Sequence, residues 1–188
     1  VVLNPSKGAI TGSSHDFSTA SWNFEGQICQ PCHTPHDASL DIPGAPLWNR
    51  QATSATFQLY SSPTFDGEST IGQPSGTSKL CLGCHDGTVA LDNFGGSTGG
   101  NSFPFLQVGT DLRNDHPISF VYDTALATND TGMYDPTTQN SGLGSTIHMD
   151  LLHDGRVECT SCHNVHNESG AEYLLVKSNA GSTLCLTC

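Results

Sequence analysis

Cysteine and histidine recur in one arrangement along this chain. Two cysteines separated by two residues are followed at once by a histidine at Cys29-Gln30-Pro31-Cys32-His33, at Cys81-Leu82-Gly83-Cys84-His85 and at Cys159-Thr160-Ser161-Cys162-His163, and a further pair stands at Cys185-Leu186-Thr187-Cys188. Thiols at this spacing can add across the two vinyl groups of a porphyrin, and the adjacent histidine can then take an axial position on the iron. C-x-x-C-H is accordingly the attachment signature of a c-type haem. One copy alone would also fit a redox dithiol or half of a zinc site. Here the pairs use all eight cysteines. Two zinc sites built from cysteine pairs, or four disulfides, would leave the three following histidines without a purpose. The expectation is four covalently attached haem c groups, with Cys29, Cys32, Cys81, Cys84, Cys159, Cys162, Cys185 and Cys188 as thioether residues and His33, His85 and His163 as proximal iron ligands. The fourth pair has no histidine after it in this sequence, and the natural chain is expected to continue with one.

The chain holds nine histidines, so six remain after the proximal set. Beside four haems they read as a supply of distal ligands. His36 and His166 each lie three residues after a proximal histidine. Three residues span at most ~10 Å, too little to round a porphyrin edge comfortably. Each is therefore expected to bind a neighbouring haem: His36 the one on Cys81 and Cys84, His166 the one on Cys185 and Cys188. His116 precedes Pro117, which favours an extended backbone there, and it can project from a loop onto an iron. His15 is the fourth distal candidate, from its own subunit or from a neighbouring one. His148 and His153 are reserves, for which a solvent-facing or hydrogen-bonding role is equally open. With two histidines on every iron no coordination position stays open, so the pattern favours electron transfer over catalysis at iron. No P-loop or dinucleotide fingerprint is present.

These residues need a scaffold, and the composition limits its kind. Of 188 residues 35% are hydrophobic and 13% charged, with 20 glycines and 10 prolines. Such a chain predicts mostly coil with a few short helices and little strand, wrapped around a stacked haem chain that supplies the missing apolar surface. The apo chain is expected to be largely unfolded, as in metal-dependent folds. Residues 1–28 carry no motif and read as a flexible N-terminal arm. Residues 29–94 form a first di-haem module, Gly95-Gly96-Ser97-Thr98-Gly99-Gly100 lies in a linker at 95–102, and 103–188 form a second module; a single compact unit is the alternative. Helices are expected over 77–93, capped by Ser78, over about 146–152, and after Ser182; Ile118–Tyr122 has strand propensity and 123–146 reads as polar loop. Trp48, Phe57, Tyr60 and Phe65 follow no period and are expected against porphyrin faces. The halves repeat: Cys-x-x-Cys-His-x-x-His at 29–36 and 159–166, then Leu-Cys-Leu-x-Cys at 80–84 and 184–188.

The formal net charge of −12 offers nucleic acid or anionic membrane no basic patch. No apolar run approaches the ~18–20 residues that span a bilayer. Val1-Val2-Leu3-Asn4-Pro5 reads as a mature N-terminus. Covalent haem attachment is completed outside the cytoplasm, so the cell exterior or the periplasm is expected.

Cys29-Gln-Pro-Cys-His-Thr-Pro-His36, Pro46-Leu-Trp-Asn-Arg50, Leu80-Cys-Leu-Gly-Cys-His-Asp-Gly87, Asp115-His-Pro-Ile-Ser119 and Cys159-Thr-Ser-Cys-His-Asn-Val-His166 together resemble extracellular tetrahaem cytochromes of the OmcE type. The resemblance runs through most of the chain. It implies a homopolymer, a filament with a continuous haem chain in which a histidine of one subunit can complete a haem in the next. It further implies respiration to external electron acceptors or redox partner proteins. A soluble periplasmic tetrahaem shuttle and a multihaem reductase with one open iron are the competing readings.

Overall fold

The computed structural model describes residues 9–101 and 107–188. The reading of residues 1–5 as a mature N-terminus, and the positions 102–106 at which linker and second module were expected to meet, lie outside the described residues. The described residues are mostly coil with short helices and one two-stranded sheet. It divides into two units. The early unit comprises Asp16–Tyr60 and Gly72–Pro117; the late unit comprises Ser61–Ile71 and Ile118–Cys188 with the segment ending at His15. This differs from the expected division. The glycine-rich stretch lies inside the early unit, and residues 61–71 and the segment up to His15 join the late one.

In the early unit, helix α1 (Gly76–His85) carries the second motif. Ser75, in extended conformation, is its N-cap, while Ser78 is buried inside the helix beside Leu80 and Leu82. The helix stops eight residues short of the expected end. Asp86 closes it by donating its N–H to the Leu82 carbonyl at 3.0 Å, and Gly87 follows at φ +77. This left-handed conformation, which side chains rarely adopt, is what favours glycine at the turn that ends the helix.

The glycine-rich stretch is pinned, because Asp92 accepts from the N–H groups of Gly100 (2.7 Å) and Asn101 (2.9 Å) and from the Asn101 side chain (2.6 Å). Desolvation, the largest single influence on Asp92, would raise its carboxyl; these bonds together outweigh it and hold the group at about 2. Gly99, at φ +67, passes so close to the Asp92 carboxylate and the Asn93 backbone that no Cβ fits. The described part of the N-terminal arm is likewise built. Turns close at Phe17–Ala20, Ala20–Asn23 and Asn23–Gly26, and Trp22 packs on Phe17 (5.2 Å) and edge-on to Phe94 (6.0 Å).

The late unit has its own peptide core of Phe120, Tyr122, Ile147, Leu151 and Val157. Strand β1 (Phe120–Val121) pairs antiparallel with β2 (Arg156–Val157), Phe120 opposite Val157, as the β-branched and aromatic run from Ile118 predicts. The segment expected to be loop contains helix α2 (Thr124–Asn129), whose N-cap Asp123 accepts from the Leu126 N–H. Helix α3 (Ile147–Asp150) lies where expected, capped by the Thr146 hydroxyl. Phe65 sits edge-on to Phe120 with ring centroids 5.1 Å apart. Ser182 caps no α-helix; the fourth cysteine pair lies on a single 3-10 turn at Cys185–Thr187. Among the described residues no helix is long and apolar enough to cross a membrane.

Candidate functional site

The first and third motifs are tight turns that present their thiols and ring together. In the first, the His33 N–H donates to the Cys29 carbonyl at 2.9 Å. In the third, helix α4 (Cys159–Cys162) is ended by the same bond, His163 N–H to Cys159 carbonyl at 3.0 Å. A capping box starts α4: Glu158 takes the N-cap and its N–H donates to the Ser161 hydroxyl at 2.9 Å. The Glu158 carboxylate is buried and accepts from the Ser119 hydroxyl at 2.9 Å, which ties the third motif to the end of the sheet.

Two of the three candidate proximal rings, His33 and His163, are aimed by a returning segment of chain. His33 Nδ1 lies 2.7 Å from the Pro46 carbonyl oxygen, and His163 Nδ1 lies 3.0 Å from that of Tyr173. A carbonyl oxygen only accepts, so Nδ1 carries the proton and the lone pair is left on Nε2, the nitrogen an iron would take. The backbone around both rings repeats residue for residue. Thr34 N–H donates to the Leu47 carbonyl (2.8 Å), and Asn164 N–H to that of Leu174 (2.7 Å). Asn49 N–H donates to the Cys32 carbonyl, and Val176 N–H to that of Cys162, both at 2.9 Å. Leu47 and Leu174 are both left-handed, at φ 51 and φ 56. The sequence shows the motifs of this repeat but not its return strands; Pro-Leu-Trp-Asn-Arg50 and Tyr-Leu-Leu-Val-Lys177 share only a leucine and a final cation. The second motif is held differently, with the His85 carbonyl accepting from Val108 (2.7 Å) and Gly109 (3.1 Å).

The motifs fall two to a unit: Cys29, Cys32, Cys81 and Cys84 in the early unit, Cys159, Cys162, Cys185 and Cys188 in the late one. Within each pair the inner cysteines are close enough to feel one another's charge. Burial pushes the Cys32 thiol up to about 11, with Cys84 and Cys29 adding to the rise and Arg50 opposing it. Burial likewise raises Cys84, again against Arg50. In the late unit burial takes Cys162 up to about 11, followed by repulsion from Cys188 and Cys185. Burial also raises Cys188, against Lys177. No disulfide joins any of the eight cysteines. Among the described residues no three His, Cys, Asp or Glu side chains converge as a metal site. Paired thiols beside a histidine with its Nε2 lone pair presented fit haem c.

The distal candidates also divide evenly. His36 and His116 lie in the early unit, His15 and His166 in the late one with both reserves. His36 and His166 are exposed and sit in matching turns. The His36 N–H reaches the Thr34 hydroxyl (3.4 Å) and the His166 N–H the Asn164 side-chain oxygen (2.9 Å). The next residues, Asp37 and Asn167, are left-handed at φ 54 and φ 53. His36 lines a cleft of about 690 Å³ with Asn49, Arg50 and Gly95. His116 Nδ1 lies 2.8 Å from the Pro117 carbonyl, which again puts the lone pair on Nε2. His15 is half-buried, on a turn where its N–H donates to Ser13 Oγ at 3.2 Å. Of the reserves, His148 is exposed, and His153 Nδ1 lies 3.6 Å from the Asp154 carboxylate.

Residues 152–188 match the family described as the doubled CXXCH motif. The matched segment contains the third and fourth cysteine pairs. It implies a haem-binding electron-transfer cytochrome with covalently bound haem c. No curated protein matches the chain.

Proposed function

We propose that this chain is a tetrahaem electron conduit, a subunit of an extracellular filament that carries electrons to external acceptors. The supporting observation is the allotment of ligands: each unit holds two cysteine pairs and two distal candidate histidines. Four irons with a histidine on either side leave no exchangeable position, which suits a carrier and not a catalyst at iron. Bound haem supplies a one-electron iron couple, and the chain's task is to fix each ring, exclude water and set the spacing. His33, His85 and His163 are the proximal ligands; His15, His36, His116 and His166 are the distal ones, with His148 and His153 in reserve. The filament rests on the resemblance of the motif-flanking segments to OmcE-type cytochromes. On that resemblance one histidine would bridge subunits and the protein would act outside the cell.

The test is negative-stain electron microscopy of the purified holo-protein from its native source. Long uniform filaments with haem absorbance are expected. Only monodisperse particles of a single chain's mass would overturn the filament and leave a periplasmic shuttle. A high-spin, five-coordinate haem in the absorption spectrum would overturn the closed-iron reading in favour of a reductase.

A further inference from the structure

The two units share one device beyond the motifs. The residue after each return strand is a cation turned inward. In the early unit it is Arg50, which is 4% exposed. Its guanidinium donates to the carbonyls of Leu91 (2.7 Å), Ala90 (2.8 Å) and Pro31 (3.4 Å). Pro31 lies between the two cysteines of the first motif, and Ala90 and Leu91 lie just beyond the second. The Asn49 N–H, one residue before Arg50, holds the Cys32 carbonyl. In the late unit the equivalent residue is Lys177. Its ammonium donates to the Ser141 carbonyl and to the Thr187 hydroxyl. Thr187 lies between the cysteines of the fourth motif, and Val176, one residue before Lys177, holds the Cys162 carbonyl of the third. Each unit thus joins its two motifs through one cation in the same place of the repeat.

Neither cation has a carboxylate partner among the described residues, since the ion pairs there are Arg113–Asp111 and His153–Asp154. Arg50 keeps its Nε–H buried with no acceptor. Burying a cation on backbone carbonyls alone is costly, and the cost falls where two haem attachment turns meet. A positive charge there favours the less positive, reduced state of a nearby iron, opposed in the early unit by the buried Asp86 carboxylate, whose charge also reaches Cys84. Over roughly 10 Å at an effective dielectric constant near 20, one charge shifts such an equilibrium about tenfold.

We propose that Arg50 and Lys177 are paired positioning residues, each locking the spacing of two haem motifs and supplying the fixed charge that holds that pair's reduction potentials up. This rests on the haem reading above. The experiment is a potentiometric titration, followed by haem absorbance, of holo-protein carrying Arg50→Gln, Arg50→Lys or Lys177→Gln. Haem per chain is counted on each sample by pyridine haemochrome. Arg50→Gln is expected to lower two of the four potentials by about 59 mV, a tenfold shift for a one-electron couple. Lys177→Gln lowers the other two, and Arg50→Lys stays close to the parent. Four haems with unmoved potentials in both glutamine variants overturn the proposal. So does an Arg50→Lys shift as large as that of Arg50→Gln, which would make the role structural. If Arg50→Gln yields no mature protein, Lys177→Gln, at a half-buried site, decides alone. A parent protein without haem sinks the functional reading instead, so the two failures are distinct.

Discussion

His163 Nδ1 lies 3.0 Å from the carbonyl oxygen of Tyr173, ten residues further along the chain. Tyr173 holds that carbonyl in place with a left-handed backbone, φ 59, and its side chain is largely exposed. The residue acts through its backbone, and substitution can separate the two. Proline cannot adopt this φ, so Tyr173→Pro is expected to swing the carbonyl off the ring and to cost more than about 1 kcal/mol of stability. Losing the acceptor makes the imidazole a weaker donor to iron, and the potential of the third haem should rise. Redox titration beside thermal unfolding of the holo-protein checks both; an unchanged set of four potentials would show that the Tyr173 carbonyl does not tune the ring.

The cysteine pairs make a separate, countable claim. Replacing Cys81 and Cys84 together by alanine should reduce covalent haem from four to three per chain, by mass and by pyridine haemochrome. The early unit should also loosen, because α1 would lose the ring it carries. Circular dichroism before and after attachment in the parent should show a large gain of order, as expected where the cofactor contributes the folding free energy. An apo chain already folded to the holo level would refute that dependence.

The candidate motifs and some of the fold were legible in the residues, for reasons that can be named. Cys29-x-x-Cys32-His33 and its copies announce themselves because covalent attachment fixes type and spacing together. Phe120 and Val121 form the strand expected of their propensity, and Thr146 caps α3 as a threonine before a helix should. Local chemistry misled where a tertiary contact decides. Gly95–Gly100 reads as a linker, yet Asp92 ties it down from within the early unit. Helix α1 stops at His85, where Asp86 closes it and Gly87 turns left-handed. Pro46 and Tyr173 share no chemistry, since what matches is a backbone carbonyl, and a carbonyl leaves no mark on residue type. Arg50 and Lys177 left a faint one, a cation five residues into each return segment.

Tyr122 links the core of the late unit to its fourth motif. Fully buried, its hydroxyl donates to the Tyr134 carbonyl at 2.6 Å and to that of Cys188 at 3.1 Å. Tyr122→Phe is expected to cost about 1–2 kcal/mol, read as a lower thermal midpoint. Burial pushes the phenol well above its ordinary value near 10. The folded state therefore prefers the neutral phenol. Its contribution is fully present below about pH 10 and is lost as pH rises towards the folded value, because unfolding then releases a proton. The parent should lose stability above pH 10, and Tyr122→Phe should lose less over the same range. Identical alkaline profiles for the two proteins would contradict the assignment.

His15 carries the bridging question. It is half-buried in the late unit, which also holds the third and fourth cysteine pairs, His166 and both reserves. If His15 completes an iron, whether in its own chain or in the next, His15→Ala should leave four haems attached, since no thioether is touched. One haem in four should become five-coordinate and high-spin, read by its absorption and electron paramagnetic resonance. The assembly state then separates the sources of the ligand. A ligand donated to the next subunit predicts shortened or absent filaments together with the high-spin signal. A ligand kept within the chain predicts the signal with normal filaments. Normal filaments with every haem still six-coordinate would remove His15 from the ligand set, and His148→Ala and His153→Ala would then be the variants expected to give the high-spin haem.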